Sequence, residues 1–297
     1  MPDPSLPPPP GTESRGTILV ALQWGVRELE RNGVSDARLS AEVILAHALS
    51  VGRIDLYLRY DQPFPAACKA AYLDLVSRRG KGEPTAYLTG EKEFYSLRFS
   101  VDRRVLIPRP ETELLVDEAL AVIDSLPAVP TVSVCDVGTG SGAIAVAIKK
   151  NRPEIAVTAV DANAEALDVA RANALQHGVD IAFIRGDLLR EVPGPFDLLV
   201  ANLPYVTSED VAQLPKDVRD FEPATALDGG ADGLRWIEPL LDQGRSRVRA
   251  GGSVVLEIGI GQEKKVADLL TRYGYSLRNM RKDYADIPRV AVASKGS

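Results

Sequence analysis

The sequence is poor in the residues that staple or metallate a small protein. Only two cysteines, Cys68 and Cys135, and two histidines, His47 and His177, occur in 297 residues. The cysteines stand far apart with no second thiol near either. That argues against a disulfide scaffold and against a structural zinc site, and no metal is expected. No run approaches the roughly 18 consecutive apolar residues of a membrane-spanning helix. The start of the chain carries six prolines in its first ten residues and no apolar stretch of signal-peptide kind. Positive charge is not in excess either: 35 basic against 41 acidic side chains leave a net charge of −6. A dedicated binder of nucleic acid or anionic membrane would carry a basic face. What is plentiful is core material, with 45% hydrophobic residues, enough for about two domains. The expectation is a cytoplasmic monomer with no membrane and no direct nucleic-acid partner.

Residues 1–15 read as a proline-rich polar tail, since consecutive prolines favour extended polyproline II and cannot enter a helix interior. From 16 to 80 the pattern is helical. Ile18, Leu19, Leu22, Val26 and Leu29 recur at three- and four-residue spacing up to a helix-ending Asn32-Gly33. A second helix is expected from Ser35 or Asp36 through Ala48, and a third over Pro65–Val76. So small a helical domain suggests one that grips a partner. In 81–107, glycines and the alternation of Tyr95, Leu97, Phe99 and Val101 predict a β-hairpin linker. Over 108–297, apolar strands alternate with helices. Strands are expected at 131–137, 156–161, 181–187, 196–202, 252–259 and 290–293, and helices at 142–150, 164–177 and 262–273. That alternation implies an α/β domain with a parallel, doubly wound, Rossmann-like sheet, whose ligands bind at the carboxyl ends of its strands.

Two clusters carry chemistry. The first is Asp136-Val137-Gly138-Thr139-Gly140-Ser141-Gly142, between strand and helix. Its glycines allow positive φ and close approach of a ligand to the backbone. The spacing is not that of the dinucleotide fingerprint. An acid before the glycines repels a pyrophosphate and favours the ammonium of an amino-acid ligand such as S-adenosylmethionine. Asp161 ends the next strand, where a carboxylate can accept from both ribose hydroxyls, and Asp187 with Leu188 ends the third, near an adenine amine. Strand-end aspartates also serve as helix caps, but three with a glycine turn suit a nucleoside without phosphates. The second cluster is Asn202-Leu203-Pro204-Tyr205. An amide or exocyclic nitrogen is a poor nucleophile, so an enzyme that alkylates it must hold both N–H bonds and aim the lone pair. The Asn202 side-chain oxygen and the Pro204 carbonyl could accept those bonds, proline restrains the loop, and Tyr205 offers a stacking face.

With these residues in view, the chain resembles the peptide chain release factor glutamine N5-methyltransferases. The likeness rests on GEPTAYLTG (82–90), VLIPRPETE (105–113), DVGTGSGAIA (136–145), NLPY (202–205), EPATALDGGADGL (222–234), LEIGIGQ (256–262) and KDYADIPRVAVA (282–293). It implies a class I methyltransferase domain behind a small all-α domain. It also implies S-adenosylmethionine as cofactor and transfer of its methyl group to the glutamine of the Gly-Gly-Gln motif in class 1 release factors. Carried over, the cofactor residues are Asp136, Gly138, Thr139, Gly140, Ser141, Gly142, Asp161, Asp187, Leu188 and Asn202. Asn202, Pro204 and Tyr205 are the catalytic set, and Asn202, Leu203, Pro204, Tyr205 and Phe94 hold the substrate. Leu203 departs from the family's usual first proline, and Ser96 from a glycine. N-L-P-Y also occurs in some ribosomal RNA adenine methyltransferases. An N-methyltransferase acting on ribosomal RNA or DNA adenine is therefore the alternative, together with one acting on a ribosomal-protein glutamine.

Overall fold

The computed structural model describes residues 16–126 and 131–296; the proline-rich stretch 1–15 lies outside them. The chain divides into two compact units, one reaching to Gly90 and including Pro215–Phe221, the other formed by Glu91–Leu214 and Glu222 onward.

The first unit is helical: α1 (Ile18–Arg31), α2 (Ala37–Ala48), α3 (Arg53–Tyr57), α4 (Ala66–Gly80) and α5 (Thr85–Thr89). Thr17 caps α1, accepting from the Val20 N–H at 3.3 Å, and the helix buries Ile18, Ala21, Leu22 and Leu29 along one stripe. At the centre Tyr72 is fully buried. Its hydroxyl donates to the Ala21 carbonyl at 3.1 Å, and the rings of Trp24 and Phe64 meet it edge-on. The third expected helix runs on to Gly80, because Val76 and Arg79 are also buried. Arg79 is the unit's polar pin. It donates to Asp36 at 3.0 Å on the start of α2 and to Asp217 at 3.5 Å, which binds residues 215–221 into this unit.

The second unit opens with an antiparallel hairpin, β1 (Glu91–Phe94) and β2 (Leu97–Ser100), followed by α6 (Glu113–Ser125). Its main sheet comprises β3 (Ser133–Val137), β4 (Ala156–Asp161), β5 (Ala182–Arg185), β6 (Phe196–Ala201), β7 (Val248–Glu257), β8 (Tyr275–Lys282) and β9 (Pro288–Lys295). Besides α6, this unit holds the helices α7 (Ala143–Asn151), α8 (Ala164–His177), α9 (Ser208–Val211), α11 (Ile237–Arg247) and α12 (Glu263–Arg272); α10 (Lys216–Arg219) belongs to the first unit. The strand order is β5-β4-β3-β6-β7-β9-β8. The first five strands run parallel, and β9 and β8 add antiparallel pairs. The Rossmann-like expectation holds in the parallel part, where every residue of β6 is buried. Strand β8 and the antiparallel edge were not expected.

Register positions the site. Val137 pairs with Val160 on one side and with Ala201 on the other. The chain order therefore reverses across β3, and the ends of β3, β4 and β6 lie side by side at the switch point where such sheets bind ligands.

Candidate active site

A cleft of about 420 Å³ opens at these strand ends. Three glycines shape its loop: Gly138, Gly140 and Gly142 all have positive φ, at 75°, 53° and 80°, which L side chains rarely tolerate. The loop is hung on β4, since the N–H groups of Gly138 and Thr139 both donate to the Val160 carbonyl at 2.9 Å. No atom lies within 4 Å of where a Gly140 Cβ would stand, so its backbone is open to a ligand. Asp161 secures the same turn. Its two oxygens accept from the Gly140 and Asn163 N–H groups, each at 2.9 Å, and each retains capacity for another donor. Burial pushes its carboxyl above the ordinary range.

Asp136 sits beneath the loop. It is fully buried and accepts from the Thr139 hydroxyl at 2.6 Å. Its Oδ1 is buried without a partner, and burial lifts the carboxyl to about 7. On the far wall, Asp187 lies two residues past β5 and pairs with Arg190 at 3.2 Å. Next to it Leu188 holds φ at 56°, a left-handed conformation uncommon for a branched apolar residue and typical of ligand walls.

The Asn202–Tyr205 loop closes the other side. Asn202 donates Nδ2 to Thr112 Oγ1 at 3.0 Å, leaving its Oδ1 to accept. Leu203 is buried against Gly138. The loop is cradled by three distant motifs. A Cβ on Gly229 would meet the Pro204 carbonyl oxygen at 2.7 Å, and one on Gly233 the Tyr205 oxygen at 2.3 Å. The glycines of DGGADG are therefore the mould for that backbone. Gln262 donates to the Tyr205 carbonyl at 3.0 Å. The Tyr205 hydroxyl donates to Glu257 at 3.2 Å, a carboxyl that burial raises to about 7. Arg109 and Glu222 form an ion pair, and Glu222 also accepts from the Ile107 N–H at 3.0 Å, so PRPETE is tied to EPATAL.

Known proteins are similar to this one over most of the chain. Residues 20–90 match the PrmC N-terminal domain model and 115–216 the methyltransferase small domain model. A release factor glutamine methyltransferase from Rhodopirellula baltica is 39% identical over 94% of this chain and 96% of its own length. One from Burkholderia pseudomallei is 42% identical over 89% and 94%. The chain belongs to the release factor glutamine methyltransferase family. Solved structures share the fold. A methyltransferase from Pyrococcus furiosus aligns with a TM-score of 0.51 at 17% identity, covering 74% of this chain and 98% of its own. The hMettl16 catalytic domain, in complex with an RNA hairpin, aligns with a TM-score of 0.54 at 15% identity, covering 75% and 82%.

In this glutamine methyltransferase the cleft gathers Gly138, Gly140, Asp161, Asp187, Leu188, Asn202, Leu203 and Pro204 of the expected set. Asp136, Thr139, Ser141, Gly142, Tyr205 and Phe94 do not line it. Asp136, Thr139 and Ser141 are buried behind the loop. Phe94 is sealed inside the hairpin, its ring 6.1 Å from that of Phe99. Tyr205 is half-buried with its hydroxyl turned to Glu257 rather than to the cleft. Residues that sequence reasoning passed over are Thr112, Glu257, Glu222 and Asn173. Asn173, on α8, donates to the Ser141 and Ser100 carbonyls and accepts from the Ser100 N–H, joining hairpin to loop. Thr112, Glu222 and Glu257 stood inside motifs and Asn173 in none, and the partner of each lies far away in the chain.

Proposed function

We propose that this chain methylates the side-chain amide nitrogen (N5) of the glutamine in the Gly-Gly-Gln motif of class 1 release factors, with S-adenosylmethionine as donor. Relatives matched over 94–96% of their own length are named release factor glutamine methyltransferase. The observation that carries the reading is Asn202, its amide plane fixed by Thr112 at the rim of a glycine-floored cleft. The chain's residues fit the cofactor. Gly138 and Gly140 give bare backbone, Asp161 keeps spare acceptor capacity for ribose hydroxyls, and the strained Leu188 forms an apolar wall for a base. When bound, S-adenosylmethionine supplies an electrophilic methyl group on a sulfonium.

The remaining work falls to the protein. A carboxamide nitrogen spreads its lone pair into the carbonyl and is weakly nucleophilic. Asn202 Oδ1 accepts one of its N–H bonds and the Pro204 carbonyl the other, which fixes the nitrogen and stabilises positive charge growing on it. Once alkylated, the nitrogen is acidic enough to lose its proton to water. The helical first unit, which exposes Ile54, Tyr57 and Leu58, is the candidate grip for the release factor, in the cytoplasm where termination takes place.

The test is methyl transfer from labelled S-adenosylmethionine to a purified release factor, beside a factor whose Gly-Gly-Gln glutamine is alanine and beside ribosomal RNA. Label on the intact factor alone is the expected result. Label on RNA alone would overturn the reading.

A further inference from the structure

Of the described residues that line the cleft, one is aromatic, and it is not the one the sequence pointed to. The Tyr205 hydroxyl is turned to Glu257; the ring at the cleft is that of Trp236, just before α11. Its indole is pinned. Nε1 donates to the Asp228 carbonyl at 3.1 Å, and the guanidinium of Arg235 lies over the ring, 4.9 Å from its centroid. The side chain also packs against the core that contains Leu203, Leu234 and Ile237.

Asp228 ties this ring to the amide-binding loop. The Val206 N–H donates to the Leu227 carbonyl at 3.1 Å, and the Gly229 N–H to the Val206 carbonyl at 2.8 Å, so that Val206 and Asp228 form a parallel bridge. Asp228 lies between those two bonds, and its carbonyl is the one the indole holds. The Pro204 carbonyl, which accepts one substrate N–H in the reading above, thus stands on the segment paired with the one that anchors Trp236.

An indole has a single donor, and Asp228 uses it. What the ring offers the cleft is a flat apolar surface that reads shape and not polarity. Leu203, Pro204, Pro223 and Ala226 line the same cleft, and two of these are prolines with fixed φ. Such a wall has little freedom to draw back from a substrate Cβ. We infer that Trp236 is a specificity-determining residue, the ring against which the glycyl main chain next to the target glutamine is laid. It admits peptide planes that carry no Cβ and rejects the same segment with a side chain there. The inference rests on the functional reading above, in which a glutamine preceded by two glycines enters the cleft. Gly138, Gly140, Asp161 and Leu188 suffice for the cofactor in that reading, which leaves the ring to the substrate.

The experiment measures kcat/KM for methyl transfer to three purified release factors: the native factor and two in which one or the other glycine of Gly-Gly-Gln is alanine. Wild type, Trp236→Ala and Trp236→Phe are compared, with S-adenosylmethionine affinity by calorimetry on each enzyme. Wild type is expected to disfavour at least one alanine factor by about tenfold or more, the scale of one methyl group against a fitted wall. Trp236→Ala should raise KM for the native factor and cut that discrimination to about threefold or less, because the space left by the ring accepts the methyl group. Trp236→Phe keeps a smaller ring and should fall between the two. Cofactor affinity should be the same in all three enzymes. A wild type that takes the alanine factors as readily as the native one would overturn the inference. So would an equal loss on every factor in Trp236→Ala, which is the mark of a structural role, or a loss of cofactor affinity, which would set the ring against the cofactor. If Trp236→Ala does not fold, the discrimination shown by Trp236→Phe decides. Should wild type transfer nothing to the native factor, the functional reading fails instead, a distinct outcome.

Discussion

Leu203 lies so close to Gly138 that a Cβ on the glycine would stand 2.9 Å from Leu203 Cδ2. Where the family's pattern has a proline, this chain has a buried side chain that packs the amide-binding loop directly onto the cofactor loop. Gly138→Ala meets two obstacles at once, a φ of 75° and that methyl group. It is expected to cost about 1–3 kcal/mol of stability and to weaken S-adenosylmethionine binding at least tenfold by calorimetry. Adding Leu203→Ala should relieve the contact but not the backbone strain, so recovery should be partial.

The turn of the hairpin carries Tyr95 at φ 51° and Ser96 at φ 59°, the two positive angles of a type I′ turn, which favours Asn-Gly. Here lies the reason a glycine is usual at 96. Ser96→Gly is expected to stabilise the protein by about 1 kcal/mol. In thermal unfolding that should appear as a rise of about 2 °C, with methyl transfer unchanged. A fall in melting temperature would mean that the Ser96 side chain contributes more than its strain costs.

Asn202 and Asp161 divide the labour of the cleft. Asn202→Ala should lower methyl transfer by about 10² or more and leave cofactor affinity nearly intact. Asp161→Ala, which strips an acceptor and frees the Gly140 N–H, should do the reverse. Parallel loss of cofactor binding in both variants would refute the division.

Asp136 and Glu257 shape the pH dependence of stability. Both carboxyls have folded pKa values raised to about 7 from ordinary values of 3.8 and 4.5. Between those limits the folded protein holds protons that the unfolded chain has released. Stability therefore falls as pH rises from about 4 to 7 and levels off above. The slope is up to about 1.4 kcal/mol per pH unit for each group. Asp102 and Asp197, lowered in part by Arg104 and Arg249, act oppositely at acid pH, so the maximum should be mildly acidic. Urea midpoints across pH should show the decline, and Asp136→Asn and Glu257→Gln should each flatten it.

In the helical unit, Ile54 and Leu58 are 76% and 75% exposed, with Tyr57 half-exposed between them. Apolar groups left in water at such density mark docking faces. Ile54→Ser with Leu58→Ser should raise KM for the release factor about tenfold with kcat and cofactor affinity retained; an unchanged KM would remove the patch from recognition.

The strands and helices that bury apolar stripes were legible in the sequence, and α8 fell on its expected bounds, Ala164–His177. What escaped was structure without a hydrophobic signature. β8 buries little beyond Tyr275 at its start, so neither alternation nor an apolar run betrays it, and α3 and α5 are five residues each, too short for periodicity. In the site, the glycine loop, Asp161 and Asn202 were readable because each ends a strand. Thr112 was not, because its bond to Asn202 spans 90 residues and a threonine announces nothing until its partner is known. Phe94 reads as a cleft aromatic, yet burial inside the hairpin serves it better.

Helix α8 holds the hairpin through main-chain atoms. Asn173 bonds the N–H and carbonyl of Ser100, and Gln176 and His177 both reach the Arg98 carbonyl. A grip on backbone recognises contour and is indifferent to side-chain identity. Of the hairpin residues held this way, Ser100 adds one side-chain contact, its hydroxyl donating to Gln176 Oε1 at 3.4 Å, whereas Arg98 meets α8 through its carbonyl; Asn173 also clasps Ser141. A chimera that borrows the hairpin from a distant relative can keep its own α8 where it also keeps the ring at Phe99, 5.1 Å from that of His177.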